Sequence, residues 1–323
     1  MSDRTVLSIV GPGRSGTTVL ANLLGEVSGV FSAGELRWLW SRGIQQGWAC
    51  GCGESPMRCP LWSRIISCCV TSARDGGSSD LTRDAEQVLR LQAEIAPLAK
   101  RLAVIRTARE PEPAWGAIEH LRDHTARLCD SIFDVTGAQV VVDSSKRAQE
   151  AAILAALPGI QHRVLHVVRD PRAVAYSWSR AKPLGGPGGG VMAQRRAWGS
   201  VGRWTENCLG AEVLRRQLPA AHWFFLRYED FARQPRESVG RILSWLGGEG
   251  QNPVEIDGWV TFGPNHTIAG NPDRFRLGRV LIRPDSSWRS DMKLRDRLVV
   301  GAVAAPLMFR YGYLRDHEDG KPV

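Results

Sequence analysis

Apolar positions along the chain fall into two periods. Thr5-Val-Leu-Ser-Ile-Val10, Val140-Val-Val142, Arg163-Val-Leu-His-Val-Val168 and Trp223-Phe-Phe-Leu226 are short, nearly unbroken apolar runs rich in β-branched or aromatic residues. Such runs predict strands buried on both faces. Val30-Phe31-Ser32-Ala33 predicts a further short strand, expected to lie beside the first. Leu91, Ile95, Leu98 and Leu102 recur at helical spacing, as do Ile118, Leu121, Leu128 and Ile132, which predicts two helices separated by Pro111 and Pro113. Further helices are expected from Val19, from Pro171 through Trp178, over Met192–Arg216 and over Met292–Tyr313. Residues 39–79 show no period and read as an irregular excursion closing at Asp75-Gly-Gly-Ser-Ser79, and 252–288 reads as polar loop. Strands alternating with helices predict an α/β fold in three layers, a parallel sheet flanked by helices, with a ligand across its carboxyl edge.

The strand ends carry the polar clusters. Gly11-Pro-Gly-Arg-Ser-Gly-Thr-Thr18 follows the first strand and opens a helix, so its glycines permit a tight turn whose N–H groups and helix dipole favour an anion. The Gly11-x4-Gly16 spacing is that of a P-loop, but Thr17 stands where its lysine belongs and the nearest cation is Arg14. Lys146 ends the next buried run, Arg169 and Arg172 the one after, and Arg274 adds a cation from the last third. That number of cations suits a ligand with two separated anionic groups. Ser177, eight residues past Arg169, places a hydroxyl about two turns along the following helix.

The 323 residues, 43% of them hydrophobic and 23% charged, suffice for a large core. No stretch approaches the ~18 apolar residues of a membrane span, and no secretory signal precedes the first strand, so a cytoplasmic protein is expected. The net charge of +9 favours anionic ligands; the basic residues are dispersed, which argues for a small polyanion and against nucleic acid. Among seven cysteines, Cys50, Cys52 and Cys59 could be metal ligands, but their spacing is irregular and no neighbouring histidine supplies a fourth. They are expected to be buried thiols acting as small apolar groups, with no metal.

These motifs resemble the sulfotransferases that use 3′-phosphoadenosine 5′-phosphosulfate (PAPS). Gly13-Arg-Ser-Gly-Thr-Thr18 is similar to that family's 5′-phosphosulfate loop, Arg169-Asp-Pro-Arg-Ala-Val-Ala-Tyr-Ser177 to its 3′-phosphate motif, and Arg227-Tyr-Glu-Asp-Phe231 to the strand end whose tyrosine faces adenine. Gly270-Asn-Pro-Asp-Arg274 resembles a cofactor-closing segment of bacterial members, in which the cysteine pattern with Cys59-Pro-Leu-Trp62 also recurs. Gly34-Glu-Leu-Arg37 resembles the acidic motif of Golgi-type members, whose glutamate is the catalytic base.

The resemblance implies a P-loop-NTPase-like sulfotransferase fold as one domain over 1–323, with 39–136 a partly helical insertion on the acceptor side. It implies donor binding by Gly13, Arg14, Ser15, Gly16, Thr17, Thr18, Arg169, Ser177, Tyr228, Asn271 and Arg274. Glu35 would be the base, with Arg14 and Lys146 stabilising departing adenosine 3′,5′-bisphosphate. The partner would be a hydroxyl-bearing small molecule, glycan or lipid, and a homo-oligomer stays open. Glu35 and Lys146 are equally readable as surface charges. A P-loop kinase with Asp143 as its Walker-B residue, or a nucleotide-binding module without catalysis, are the alternatives, and Thr17 in place of the lysine weighs against the kinase.

Overall fold

The structure is a computed structural model that describes residues 4–71, 81–108, 116–183, 191–248 and 250–314. The segment Asp75–Ser79, Pro111, Pro113 and the glycine-rich stretch 185–190 lie outside the described residues. The elements in chain order are β1 (Thr5–Val10), α1 (Thr17–Gly25), β2 (Val30–Gly34), α2 (Pro60–Thr71), α3 (Leu81–Glu94), α4 (Leu98–Arg106) and α5 (Gly116–Thr136). Then come β3 (Val140–Lys146), α6 (Ala148–Ala155), β4 (Gln161–Val168), α7 (Pro171–Ser179), α8 (Ala197–Arg215), β5 (Trp223–Arg227), α9 (Tyr228–Arg233) and α10 (Pro235–Leu246). The chain closes with β6 (Trp259–Phe262), β7 (Gly278–Leu281), α11 (Trp288–Asp291) and α12 (Leu294–Arg310).

The five buried runs pair in the order β2-β3-β1-β4-β5, all parallel. Alternate side chains feed two cores. Val6, Val10, Val141 and Val164 face α2–α6, while Leu7, Ile9, Val142, Leu165 and Val167 face α1 and α10. The result is the expected three-layer sheet. Each fully buried Leu or Ile contributes roughly 1.5–3 kcal/mol, so both faces hold the central strand β1 in register. From β1 the chain runs first to β2 at one edge and later crosses to β4 on the other side. The loop after β1 therefore sits at the point where strand order reverses, the place such sheets bind ligands.

Several details differ from the sequence reading. β2 pairs with β3 and not with β1, because β3 inserts between them after the long helical excursion. The run Leu91–Leu102 is two helices, α3 and α4, since Pro97 cannot continue α3 and instead leads into α4. Residues 39–79 are not irregular throughout: Leu39–Gln45 is a π-helical turn, and α2 packs Ile65, Ile66 and Cys69 into the core. α8 begins at Ala197, later than expected. The last third contains a two-stranded antiparallel ribbon, β6 with β7, whose four-residue strands are too short for a readable alternation. Among the described residues no helix is long and apolar enough to cross a membrane.

His166 shows what this burial implies for pH. It lies in β4, wholly buried among Trp223, Phe225 and Tyr311. Burial lowers its pKa to about 4, with Glu212 opposing and Arg215 and Arg310 assisting. A base depressed on folding is protonated more readily in the unfolded chain, so its stabilisation is present above the ordinary value near 6.5 and is lost as pH falls toward 4. Urea denaturation of His166→Phe should therefore lose about 2 kcal/mol less stability between pH 7 and pH 5 than the native chain does. Equal losses would show that His166 is not held neutral.

Candidate active site at the carboxyl edge of the sheet

Two β-bulges shape the site. Along β1 and β3 the register runs from Ser8↔Asp143 to Val10↔Lys146, so β3 carries an extra residue at its end. Between β2 and β3 it runs from Ser32↔Val142 to Gly34↔Asp143, which puts an extra residue in β2. Bulges re-aim side chains at strand ends. Here they bring Glu35 and Lys146 together, with Lys146 Nζ donating to Glu35 Oε1. The two side chains are only 13% and 14% exposed.

The backbone under this pair is held in sparsely populated conformations. Lys146 has φ of 70°, which costs a residue with a side chain of the order of 1–3 kcal/mol. Its carbonyl accepts from Gly11 N–H at 3.0 Å, which ties it to the first loop. Gly34 has φ of 81°, and a Cβ there would stand 2.4 Å from the Ile268 carbonyl oxygen. That closeness lets Glu35 N–H donate to Ile268 O at 2.7 Å and Ile268 N–H donate to Ala33 O at 2.9 Å. Asp143, fully buried, accepts from Leu36 N–H and from the amide and hydroxyl of Ser145, fixing the turn that carries Glu35. Burial raises its pKa to about 6. Asp143 thus positions backbone, which is a poor use of a metal-binding Walker-B carboxylate.

Glu35 Oε2 accepts from Trp38 Nε1 at 3.0 Å. The Trp38 ring lies between two guanidiniums, Arg37 at 4.1 Å and Arg42 at 3.9 Å, and Arg42 also covers Trp48 at 4.7 Å. One side of the glutamate is therefore aromatic and cationic.

The other side is the loop after β1. α1 begins after Gly16 in a left-handed conformation, without a side-chain cap and without an acidic residue in its first turn, so the positive end of its dipole is not neutralised locally. The Tyr228 ring lies across Gly16, where a Cβ would meet it at 2.6 Å. Arg14 also has positive φ, and its guanidinium rests 4.6 Å over Trp178 of α7 while Nη1 donates to Asn271 Oδ1 at 3.2 Å. Asn271 N–H donates to Thr18 Oγ1 at 3.3 Å. A Cβ on Gly270 would touch both Glu35 Oε1 and Thr18 Oγ1, so the glutamate and the first turn of α1 flank one narrow space.

Arg169, at the end of β4, donates to Arg14 O at 3.1 Å and to Asp285 through both its carbonyl and its carboxylate at 3.2 Å, and stacks 4.4 Å over Tyr228. α7 starts at Pro171, as expected, and Asp170 caps it; Arg172 is held by Asp170 and stacks on Trp288. Ser177 lies on α7, half-buried, beside Trp178. Arg274, the cation added from the last third of the chain, has other partners than Arg169. It is buried and donates to Gly270 O and Ala49 O, with Glu35, Cys50 and Arg42 as its ionisable neighbours. The structure groups it with the Glu35 side.

Buried hydrogen-bonding atoms without a protein partner include Arg14 Nε, Ser15 Oγ, Arg169 Nε and Arg274 Nε. Buried polar atoms are normally satisfied, so a cationic, hydroxyl-bearing loop of this kind fits an oxyanion ligand. The chemistry on offer is an anion cradle with a carboxylate and an ammonium at its margin.

Sequence reasoning missed three participants and gave a fourth, Asp143, only a place in the kinase alternative. Asp285 and Trp178 act through contacts between distant segments, Asp143 through backbone amides, and His266 through a fold that carries it to the cysteines. Gly51 N–H donates to Thr267 O at 3.0 Å, and this docking brings His266 Nδ1 to 3.2 Å from Cys59 Sγ and 3.8 Å from Cys50 Sγ. The histidine beside these cysteines is therefore distant in sequence and near in space.

The sulfotransferase family profile matches residues 65–251, which include Lys146, Arg169, Ser177 and Tyr228. Mouse (Mus musculus) carbohydrate sulfotransferase 3 is 28% identical over 175 residues, 48% of this chain and 34% of that protein, so the match spans about a third of that relative's length. Among solved structures, the sulfotransferase domain from the Synechococcus PCC 7002 olefin synthase aligns over 94% of this chain and 96% of its own, at 17% identity and a TM-score of 0.46. Sulfotransferase STF9 from Mycobacterium avium aligns over 96% of this chain and 77% of its own, at 14% identity and a TM-score of 0.46. With its family profile matched across more than half its length, this chain belongs to the sulfotransferase family.

Proposed function

We propose that the chain transfers the sulfuryl group of PAPS to an acceptor hydroxyl, with adenosine 3′,5′-bisphosphate as the second product. The observation that carries this reading is the Glu35–Lys146 pair standing beside the loop of Arg14 to Thr18 across the space closed by Gly270. In the reaction the acceptor oxygen forms a bond to sulfur as the bridging bond from sulfur to the phosphate oxygen breaks. The acceptor proton passes to Glu35, and the electron pair of the broken bond stays on the bisphosphate. Lys146 and Arg14 meet the charge that develops there, where fixed donors contribute most. Tyr228, over Gly16 and under Arg169, offers a face to the adenine, and Arg169 with Ser177 takes the 3′-phosphate. Asn271 orders Arg14 above the cradle.

The insertion over 39–136 is the acceptor side, because it supplies Trp38's neighbours Arg42 and Trp48 next to Glu35. Indole faces flanked by cations suit a polyhydroxylated or anionic acceptor. The similarity to a carbohydrate sulfotransferase adds glycans to that class, alongside small-molecule and lipid alcohols. A reducing, cytoplasmic setting is part of the proposal, since it keeps the seven cysteines as thiols.

Two measurements test this reading. Calorimetric titration should find adenosine 3′,5′-bisphosphate bound at least about tenfold more tightly than AMP, since one charge-assisted contact contributes roughly 1.5–3 kcal/mol; equal affinities would remove the 3′-phosphate assignment. Glu35→Gln should lower kcat by roughly 10²–10⁴ with bisphosphate affinity nearly unchanged. A near-native kcat would assign the base elsewhere.

A further inference from the structure

Cys50, Cys52, Cys59 and His266 present four ligand atoms that all lie within 4.8 Å of one another. A tetrahedral zinc ion with Zn–S near 2.3 Å sets its ligand atoms about 3.8 Å apart, so only small movements separate this arrangement from a closed site. Three sulfurs and one imidazole nitrogen form a set that selects zinc over the hard cations. Four protein ligands also leave no open position, which is the mark of a structural rather than a catalytic centre.

The surroundings support the same reading. Cys50 and Cys59 are buried, and Cys52 is the most exposed of the four. Backbone amides point at the sulfurs: Trp62 N–H and Leu61 N–H toward Cys59, and Cys52 N–H toward Cys50. Such bonds neutralise part of the charge on metal-bound thiolates. Cys59 also stands immediately before α2, whose twelve residues place a positive dipole end at its sulfur. Trp62 Nε1 donates to the His266 carbonyl at 2.5 Å and fixes the backbone of the histidine. The residues on both sides are locked too, because Gly51 N–H donates to Thr267 O and Asn265 Nδ2 donates to Arg274 O at 2.8 Å.

We propose that Cys50, Cys52, Cys59 and His266 bind one structural zinc ion that joins the loop before α2 to the segment carrying Asn271 and Arg274. The metal replaces the sequence expectation of inert apolar thiols. It closes a connection between residues 207 apart in the chain, at the point where Arg274 reaches Ala49 O and Gly270 O. The staple thus sets the backbone that faces Glu35 and Thr18. Its existence does not depend on the sulfuryl-transfer reading.

The test is metal analysis of the full chain, reduced and purified without metal-affinity chromatography. Mass spectrometry of the elements should give one zinc per chain, and Cys59→Ala and His266→Ala should each lose most of it, while Cys68→Ser, at an exposed cysteine outside the cluster, should keep it. Cobalt(II) reconstitution of the unsubstituted chain provides a readout that needs no variant: sulfur-to-metal charge-transfer bands with intense tetrahedral d–d bands are expected. A chain that takes up no zinc after reduction, or a disulfide among the three cysteines that persists under reducing purification, would overturn the proposal. So would zinc retained at native stoichiometry by both ligand variants, or a cobalt spectrum without sulfur ligation.

Discussion

The ion pair between Glu35 and Lys146 is the contact on which the rest of the site depends. Each residue is turned by a bulge, one in β2 and one in β3, and each bulge is locked by a backbone bond to a different segment. The Ile268 bridge secures Glu35, and Gly11 secures Lys146. Because Gly11 begins the anion loop and Ile268 leads into Gly270 and Asn271, the same bonds that position the pair also position the cradle. The positive φ at Lys146 is the local cost, offset by the two well-packed sheet faces below it.

Charge is distributed with similar economy. Arg169 is held between Asp285 and the Tyr228 face, Arg14 between Trp178 and Asn271, and Arg172 between Asp170 and Trp288. Stacking orients each guanidinium without neutralising it, while a carboxylate partner does neutralise it. Arg14 stacks and meets an amide, so it keeps its charge for a ligand. Arg172 has a bidentate carboxylate, and its charge is internal to α7. Arg169 lies between these cases, because Asp285 is half-exposed and on a separate segment.

Much of this was legible in the sequence, and the divisions are physical. The buried strands, the glycine-rich loop and the start of α7 follow from local rules of apolar runs, glycine spacing and proline placement. Strand order did not follow, since nothing local says that β3 inserts between β1 and β2. The ribbon of β6 and β7 escaped because four-residue strands carry almost no periodicity. Glu35 was singled out by its motif, but its contact with Lys146, formed where the register of both strands shifts, was not readable from the chain. His266 shows the limit most clearly: its neighbours in the chain say nothing about cysteines more than two hundred positions away. Arg274 shows the reverse, a motif residue whose guanidinium turns to backbone carbonyls near Glu35.

The central claim is that a bisphosphorylated nucleotide spans this edge, with one phosphate at the start of α1 and the other at the end of β4. A crystal structure of the complex with adenosine 3′,5′-bisphosphate tests it most directly. The 5′-phosphate should contact the Arg14–Thr18 loop within reach of Lys146, the adenine should lie on Tyr228, and the 3′-phosphate should take the place of the Asp285 carboxylate on Arg169. A nucleotide bound elsewhere, or one bound here with Arg169 still on Asp285 and its 3′-phosphate in solvent, would contradict the account.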